Sequence, residues 1–223
     1  MSHDLDSSAV KAIGLAAGAS VVGIAASRDF QSAPQGCKPT DVLEDCRSVI
    51  VLGSPFAREA LSLSPPEYTE LRNAFLKKMT NIANKVSKKV AKESGHKAKA
   101  ISAIGGKTIN GSFHGHISLK HAAELAGIGV ITRNYLLTSP EYGNLLWLSA
   151  VLTDLELTAD ERLDCDFCVG CDTCVKACPC GALDDPASFA KKECGEHFVI
   201  EDRKLLIKCY ACRVVCPYRF GKV

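Results

Sequence analysis

The residues best suited to chemistry lie between Cys165 and Cys216. They read Cys165-x2-Cys168-x2-Cys171-x2-Cys174-x3-Cys178-Pro179, then an isolated Cys194, then Cys209-x2-Cys212-x3-Cys216-Pro217. Closely spaced thiols ending in a Cys-Pro step are the ligand pattern of paired [4Fe-4S] clusters. Three such thiolates wrap one face of a cubane, and the fourth points at the neighbouring cluster. The proline has no N–H and a fixed φ, which helps the chain leave the site.

Five cysteines compete for four places in the first run. Starting at Cys165 ends the run on Cys174, with Val175 behind it; starting at Cys168 ends it on Cys178, with Pro179 behind it. The second register fits the pattern and leaves Cys165 spare. In the downstream half, Leu206 stands where a symmetric arrangement needs a thiol, and Cys194 is the nearest upstream substitute. The crossing rule then predicts two sets. One is Cys168, Cys171, Cys174 and Cys216; the other is Cys178, Cys194, Cys209 and Cys212. Cys180, Cys37 and Cys46 are expected to be structural thiols. Zinc takes two cysteine pairs or mixed Cys/His sets, which eight thiols with two Cys-Pro closures fit poorly. Disulfides need an oxidising compartment. The acidic start, Met1 to Asp6, does not read as a signal peptide. The apolar run Ala12 to Ala26 is too short to span a bilayer. These features predict a cytoplasmic protein without a membrane anchor.

A separate core must position the cysteines. The chain of 223 residues has room for a domain over 1–159 and a cluster module over 160–223. A net charge of +2 is too small to argue for nucleic acid by itself. Asp6-Ser7-Ser8 predicts a helix cap, with a helix from about Ala9 to Ala17. Buried strands are predicted at Ser20–Ala25 and Ser48–Leu52, a third strand at Ala98–Ile104, and a final hydrophobic strand over Asn144–Thr153. Thr40 is expected to cap a short helix, Asp41 to Cys46. Pro65-Pro66 opens the longest helix, to about Glu93, with Leu71, Phe75, Met79, Ile82, Val86 and Val90 at helical spacing. Its other face carries Lys77, Lys78, Lys85, Lys88, Lys89 and Lys92, which reads as a solvated face before it reads as an RNA contact.

Gly105-Gly106-Lys107-Thr108 resembles the tail of a phosphate loop. Ile101 stands where the first glycine belongs, and Ile109-Asn110-Gly111-Ser112 reads as a turn, so an ATP site is rejected. His114, His116 and His121 precede or enter a helix over Ser118–Ala126; they are read as solvent-facing or satisfied rather than as metal ligands. The alternation of strands and helices predicts an α/β sandwich.

The segment His121 to Gly143, reading HAAELAGIGVITRNYLLTSPEYG, resembles the epoxyqueuosine reductase family. So do Leu152-Thr153-Asp154-Leu155 and the cysteine order, with its isolated Cys194. Reductive dehalogenases share this cluster segment and core. The resemblance is strong from about Lys120 to Pro217 and weak before. It implies an α+β fold, with a nitroreductase-like α/β sandwich core and an appended bacterial-ferredoxin-like two-cluster module. It further implies two [4Fe-4S] clusters relaying single electrons to cobalamin, with FMN as the alternative cofactor. The protein would then position and tune the cofactor, which does the hard chemistry.

By the same resemblance His114 falls where the family has an acidic proton donor, and no Asp or Glu occurs between Lys107 and Lys120. Imidazole suits proton transfer near neutral pH. His116, Arg133 and Asn134 would flank the second cofactor, with Thr132-Arg133-Asn134 standing for the family's Gly-Lys-Asn. The chain stops soon after Pro217, which suggests a short form without the family's C-terminal repeat region. Expected partners are a low-potential donor of ferredoxin or flavodoxin type and a small-molecule or tRNA substrate. A ferredoxin-like electron carrier with no substrate site is the alternative.

Overall fold

The computed structural model describes residues 5–109, 112–201 and 204–222. In chain order the elements begin with α1 (Ser7–Ala16), β1 (Val21–Ala26), α2 (Pro39–Val42), β2 (Ser48–Pro55) and α3 (Pro65–Ser94). They continue with β3 (Ala98–Ile101), β4 (Lys107–Ile109), β5 (Ser112–His114), α4 (Leu119–Leu125), β6 (Val130–Ile131), β7 (Leu137–Thr138) and β8 (Leu146–Thr153). The last are α5 (Thr173–Lys176), α6 (Lys191–Gly195), β9 (Phe198–Glu201), β10 (Lys204–Ile207) and α7 (Ala211–Val214). Two compact units result. The first takes the chain up to Pro55, Leu76–Gly129 and Trp147–Asp164; the second takes Phe56–Phe75, Val130–Leu146 and everything from Cys165.

The first unit is built on a sheet of order β1-β2-β8-β3, with β1 antiparallel to β2 and β3 antiparallel to β8. Val49 to Leu52 and Ala150 to Leu152 have no exposure. That explains their unbroken apolar runs, since a strand covered on both faces has no polar side to alternate with. Helix α1 starts at Ser7, two residues earlier than predicted, because the cap is Asp6, whose carboxylate accepts the Ala9 N–H at 2.7 Å. Helix α4 packs on β1 and β2. The approach is close: a Cβ on Gly23 would stand 2.4 Å from the Ala126 carbonyl oxygen. In α3, Leu76, Met79, Ile82, Val86 and Val90 are buried, while Leu71 is 36% exposed. The predicted period holds from Met79 onward; nearer the start of the helix Leu76 is buried, and Phe75 is only half-buried.

Two local readings are corrected. The third strand ends at Ile101 rather than Ile104. The short helix expected over Asp41 to Cys46 is Pro39–Val42. Pro39 enters at the first helical position, where its fixed φ is already helical and no N–H is missed. The Asp41 carboxylate accepts the Lys38 N–H at 2.8 Å and secures that start. Gly105-Gly106 leads into β4 rather than a helix; of the turn expected at Ile109–Ser112, Asn110 and Gly111 lie outside the described residues. Among the described residues no helix is long and apolar enough to cross a membrane.

The second unit carries all the cysteines from Cys165 onward. It also draws on Phe56–Phe75, a contribution not foreseen from the sequence. Tyr68 stacks on Tyr210 with ring centroids 4.1 Å apart. The Thr69 hydroxyl accepts the Ile207 N–H at 3.0 Å, and the Tyr210 hydroxyl donates to the Leu63 carbonyl. The antiparallel pair β9–β10 fills the gap between Cys194 and Cys209, with Ile200 opposite Leu205.

Candidate metal centre

The cysteines fall into two groups within the second unit. Cys168, Cys171, Cys174 and Cys216 line one small recess, with Thr132, Asn134, Phe167, Pro217 and Tyr218 completing the wall. This is the first ligand set read from the spacing. Burial first, then the neighbouring thiols Cys168, Cys216 and Cys171, push the Cys174 thiol up from its ordinary pKa. Burial, Cys168 and Cys171 do the same to Cys216, against hydrogen bonds from Tyr218 and Asn144. Four soft donors around one pocket with an aromatic wall suit a metal–sulfur group, which replaces the protons that burial otherwise holds on the thiols.

The second group is Cys178, Cys194, Cys209 and Cys212, with Cys180 added. Burial pushes the Cys212 thiol up to about 11; Arg213 opposes this, and Cys194, Cys209 and Cys174 reinforce it. Cys178 and Cys180 bring their sulfurs to 3.8 Å. Burial raises Cys180, and the neighbouring Cys178 and Cys209 add to that. Burial also opposes ionisation of Cys178. Hydrogen bonds from Cys180, Ala182 and Leu183 outweigh it and hold that thiol below its ordinary value.

Cys165 lines no part of the first recess. Cys37 and Cys46 are buried in the first unit, as structural thiols are. None of the twelve cysteines is in a disulfide. Among the described residues no three His, Cys, Asp or Glu side chains converge on a single ion.

The turn Thr132 to Tyr135 holds the cysteine segment. Its backbone N–H at Arg133 donates to the Cys168 sulfur at 3.4 Å. The Arg133 guanidinium donates to the carbonyls of Asp185 and Asp184, at 2.9 and 3.0 Å. Asn134 is 5% exposed; its amide donates to the Cys212 carbonyl at 3.3 Å, and its Oδ1 accepts the Leu136 N–H and the Thr132 hydroxyl. Tyr135 sits at φ 55 and stacks on Phe189. A bulky residue in that region is held by its surroundings. A second buried pair joins the two cysteine groups. Arg213 donates to the Asn144 carbonyl and, at 3.5 Å, to its Oδ1, while the Asn144 amide donates to the Arg213 carbonyl at 3.3 Å. No spacing or periodicity marks Asn144 and Arg213 in the sequence.

His114 ends β5 and is half-buried, and His116 is exposed. His121 is exposed and shares a 2.6 Å hydrogen bond with the Ser118 hydroxyl. These residues belong to the first unit, and Arg133 and Asn134 to the second.

A mixed helix-and-sheet protein with a thiol-lined recess is the class that this geometry defines, and known proteins fall in line with it. No family model matches the chain. The chain is 32% identical over 119 residues to the epoxyqueuosine reductase of Bacillus subtilis (strain 168), a match of 48% of this chain and 31% of that protein. It is 25% identical over 197 residues to that of Lactococcus garvieae (strain Lg2), covering 82% of this chain and 55% of the relative. The chain thus matches about a third to a half of the curated relatives' length. Among solved structures, an epoxyqueuosine reductase with an epoxyqueuosine-modified tRNA-Tyr stem loop is similar at TM-score 0.65 and 17% identity, over 96% of this chain and 65% of that one. A reductive dehalogenase, described with a mechanism for B12-dependent dehalogenation, is similar at TM-score 0.74 and 20% identity, over 96% and 32%. The resemblance read from the sequence therefore stands, and the fold is that of these proteins.

Proposed function

We propose that the protein is an iron–sulfur oxidoreductase in which two [4Fe-4S] clusters deliver single electrons to a corrinoid for a reductive reaction, as epoxyqueuosine reductases suggest. The observation that carries this reading is the recess lined by Cys168, Cys171, Cys174 and Cys216. The reading divides the chain into a nitroreductase-like core over 1–159 and a ferredoxin-like module over 160–223. When bound, the clusters would supply one-electron transfer and the corrinoid a strongly nucleophilic or radical-generating metal.

The chain's own part is to bind, orient and protonate. Cys168, Cys171, Cys174 and Cys216 hold the first cluster, and Cys178, Cys194, Cys209 and Cys212 the second. The N–H of Arg133 and the side chain of Asn134 fix that scaffold. His114 is the proton donor and His116 flanks the second cofactor. The donor partner is a low-potential ferredoxin or flavodoxin in the cytoplasm, and the substrate is a small molecule or a modified tRNA. A second reading, a carrier with no substrate site, draws on one observation: the Arg133 and Asn134 side chains are already committed to the cysteine segment.

Anaerobic reconstitution tests the proposal. Iron and sulfide analysis should find about eight irons per chain, and zinc in their place refutes the cluster assignment. Titration with hydroxocobalamin and, separately, FMN then divides the two readings. Saturable binding of the corrinoid is expected, with His114→Ala slowing turnover while leaving binding nearly unchanged. Binding of neither, together with fast electron transfer to a partner protein, establishes the carrier.

A further inference from the structure

The second cysteine group has one thiol more than a cubane takes. Cys180 follows Cys178 across a single proline, and the two sulfurs stand 3.8 Å apart. The turn carrying both thiols is pinned. Gly181 takes φ 65, the Asp184 N–H donates to the Gly181 carbonyl at 3.1 Å, and Ala182 and Leu183 are buried. The Arg133 guanidinium holds the carbonyls that follow. A pinned turn keeps Cys178 and Cys180 directed to the same place.

We propose that Cys180 is a reserve ligand of the second cluster site, able to take the iron corner that Cys178 holds. The inference rests on the reading that this group binds a cluster. In the exchange, the iron bond to the Cys178 sulfur breaks and one to the Cys180 sulfur forms. Cys180 gives up its thiol proton as it binds, and Cys178 takes up a proton as it leaves. No electron moves, and the net charge of the site is unchanged.

Cys178→Ala, Cys180→Ala and the double variant, reconstituted anaerobically in the full chain, decide the matter. Iron and sulfide content and electron paramagnetic resonance spectra are measured. Both single variants should keep about eight irons. The double variant should show a three-iron signal or fall to about four irons; the iron it retains at the first site reports that the unit is folded. If Cys178→Ala alone matches the double variant, the reserve role is overturned. If Cys180→Ala alone loses iron, Cys180 is the resident ligand and the proposal is again overturned. Wild-type protein with only about four irons overturns the two-cluster reading itself, and the exchange with it.

Discussion

In the proposed second ligand set, Cys194 is the member that departs from the regular spacing. It reaches the group from α6, across β9 and β10, and Leu206 in β10 cannot replace it. Cys194→Ala should leave three thiolates and yield a three-iron signal in electron paramagnetic resonance; a spectrum like that of wild type would refute its assignment. Cys165→Ser should leave the iron count unchanged, because that thiol stands outside the first recess. Asn134 works through geometry rather than charge. Its side chain joins Thr132, Leu136 and Cys212, and it is nearly inaccessible to water. Asn134→Ala should destabilise the protein by about 1–3 kcal/mol, the usual consequence of stranding buried polar partners. Denaturant titration of the wild type and the variant would measure it.

Among the elements, the turn from Ser139 to Gly143 is the dock for the chain beyond Cys216. Gly143 has φ 59, and a Cβ there would stand 2.3 Å from the Arg219 carbonyl. The Lys222 N–H donates to the Pro140 carbonyl at 2.7 Å on the same turn. Gly143→Ala should therefore force Arg219 away and loosen the Cys216 corner, so the first site releases iron to a chelator faster. Gly95→Ala is the control. It meets the same backbone strain, at φ 74, but nothing lies within 4 Å of its new methyl, and its iron release should match wild type. This turn was legible in the sequence as Ser-Pro-Glu-Tyr-Gly, because turn chemistry is local. Strands β1, β2 and β8 and helix α3 were legible for the same kind of reason, a largely apolar run or a helical period. Residues 56–75 were not, because Tyr68 and Thr69 meet Tyr210 and Ile207 across more than a hundred positions. The β9–β10 hairpin carried a weak signal in the paired runs FVIE and KLLI. That Cys168, Cys171, Cys174 and Cys216 line one recess was anticipated from the spacing, because closely spaced thiols closed by Cys-Pro are a local signal. Arg213 and Asn144 were not, since a buried polar pair leaves no period behind.

On the scale of the molecule, the two units have separate supports. The first rests on Val49 to Leu52, Ala150 to Leu152 and α3, all apolar and buried. The second relies on short helices, two hairpins and its thiols. Metal binding that organises a site contributes its binding energy to folding. Removing iron should lower the melting temperature of the second unit and leave that of the first almost unchanged. Calorimetry should then resolve two transitions in the iron-free protein. The first recess has a further consequence, for the order in which the protein is made. Its fourth wall thiol, Cys216, is translated only after α6, β9, β10 and α7, long after Cys174 has left the ribosome. Until Cys216 has emerged, a nascent chain can offer that pocket three thiols and no more. Filling the proposed first cluster site would thereby be tied to chains that extend past Cys216, and a brief pulse of radioactive iron should label such chains more than chains cut short before it.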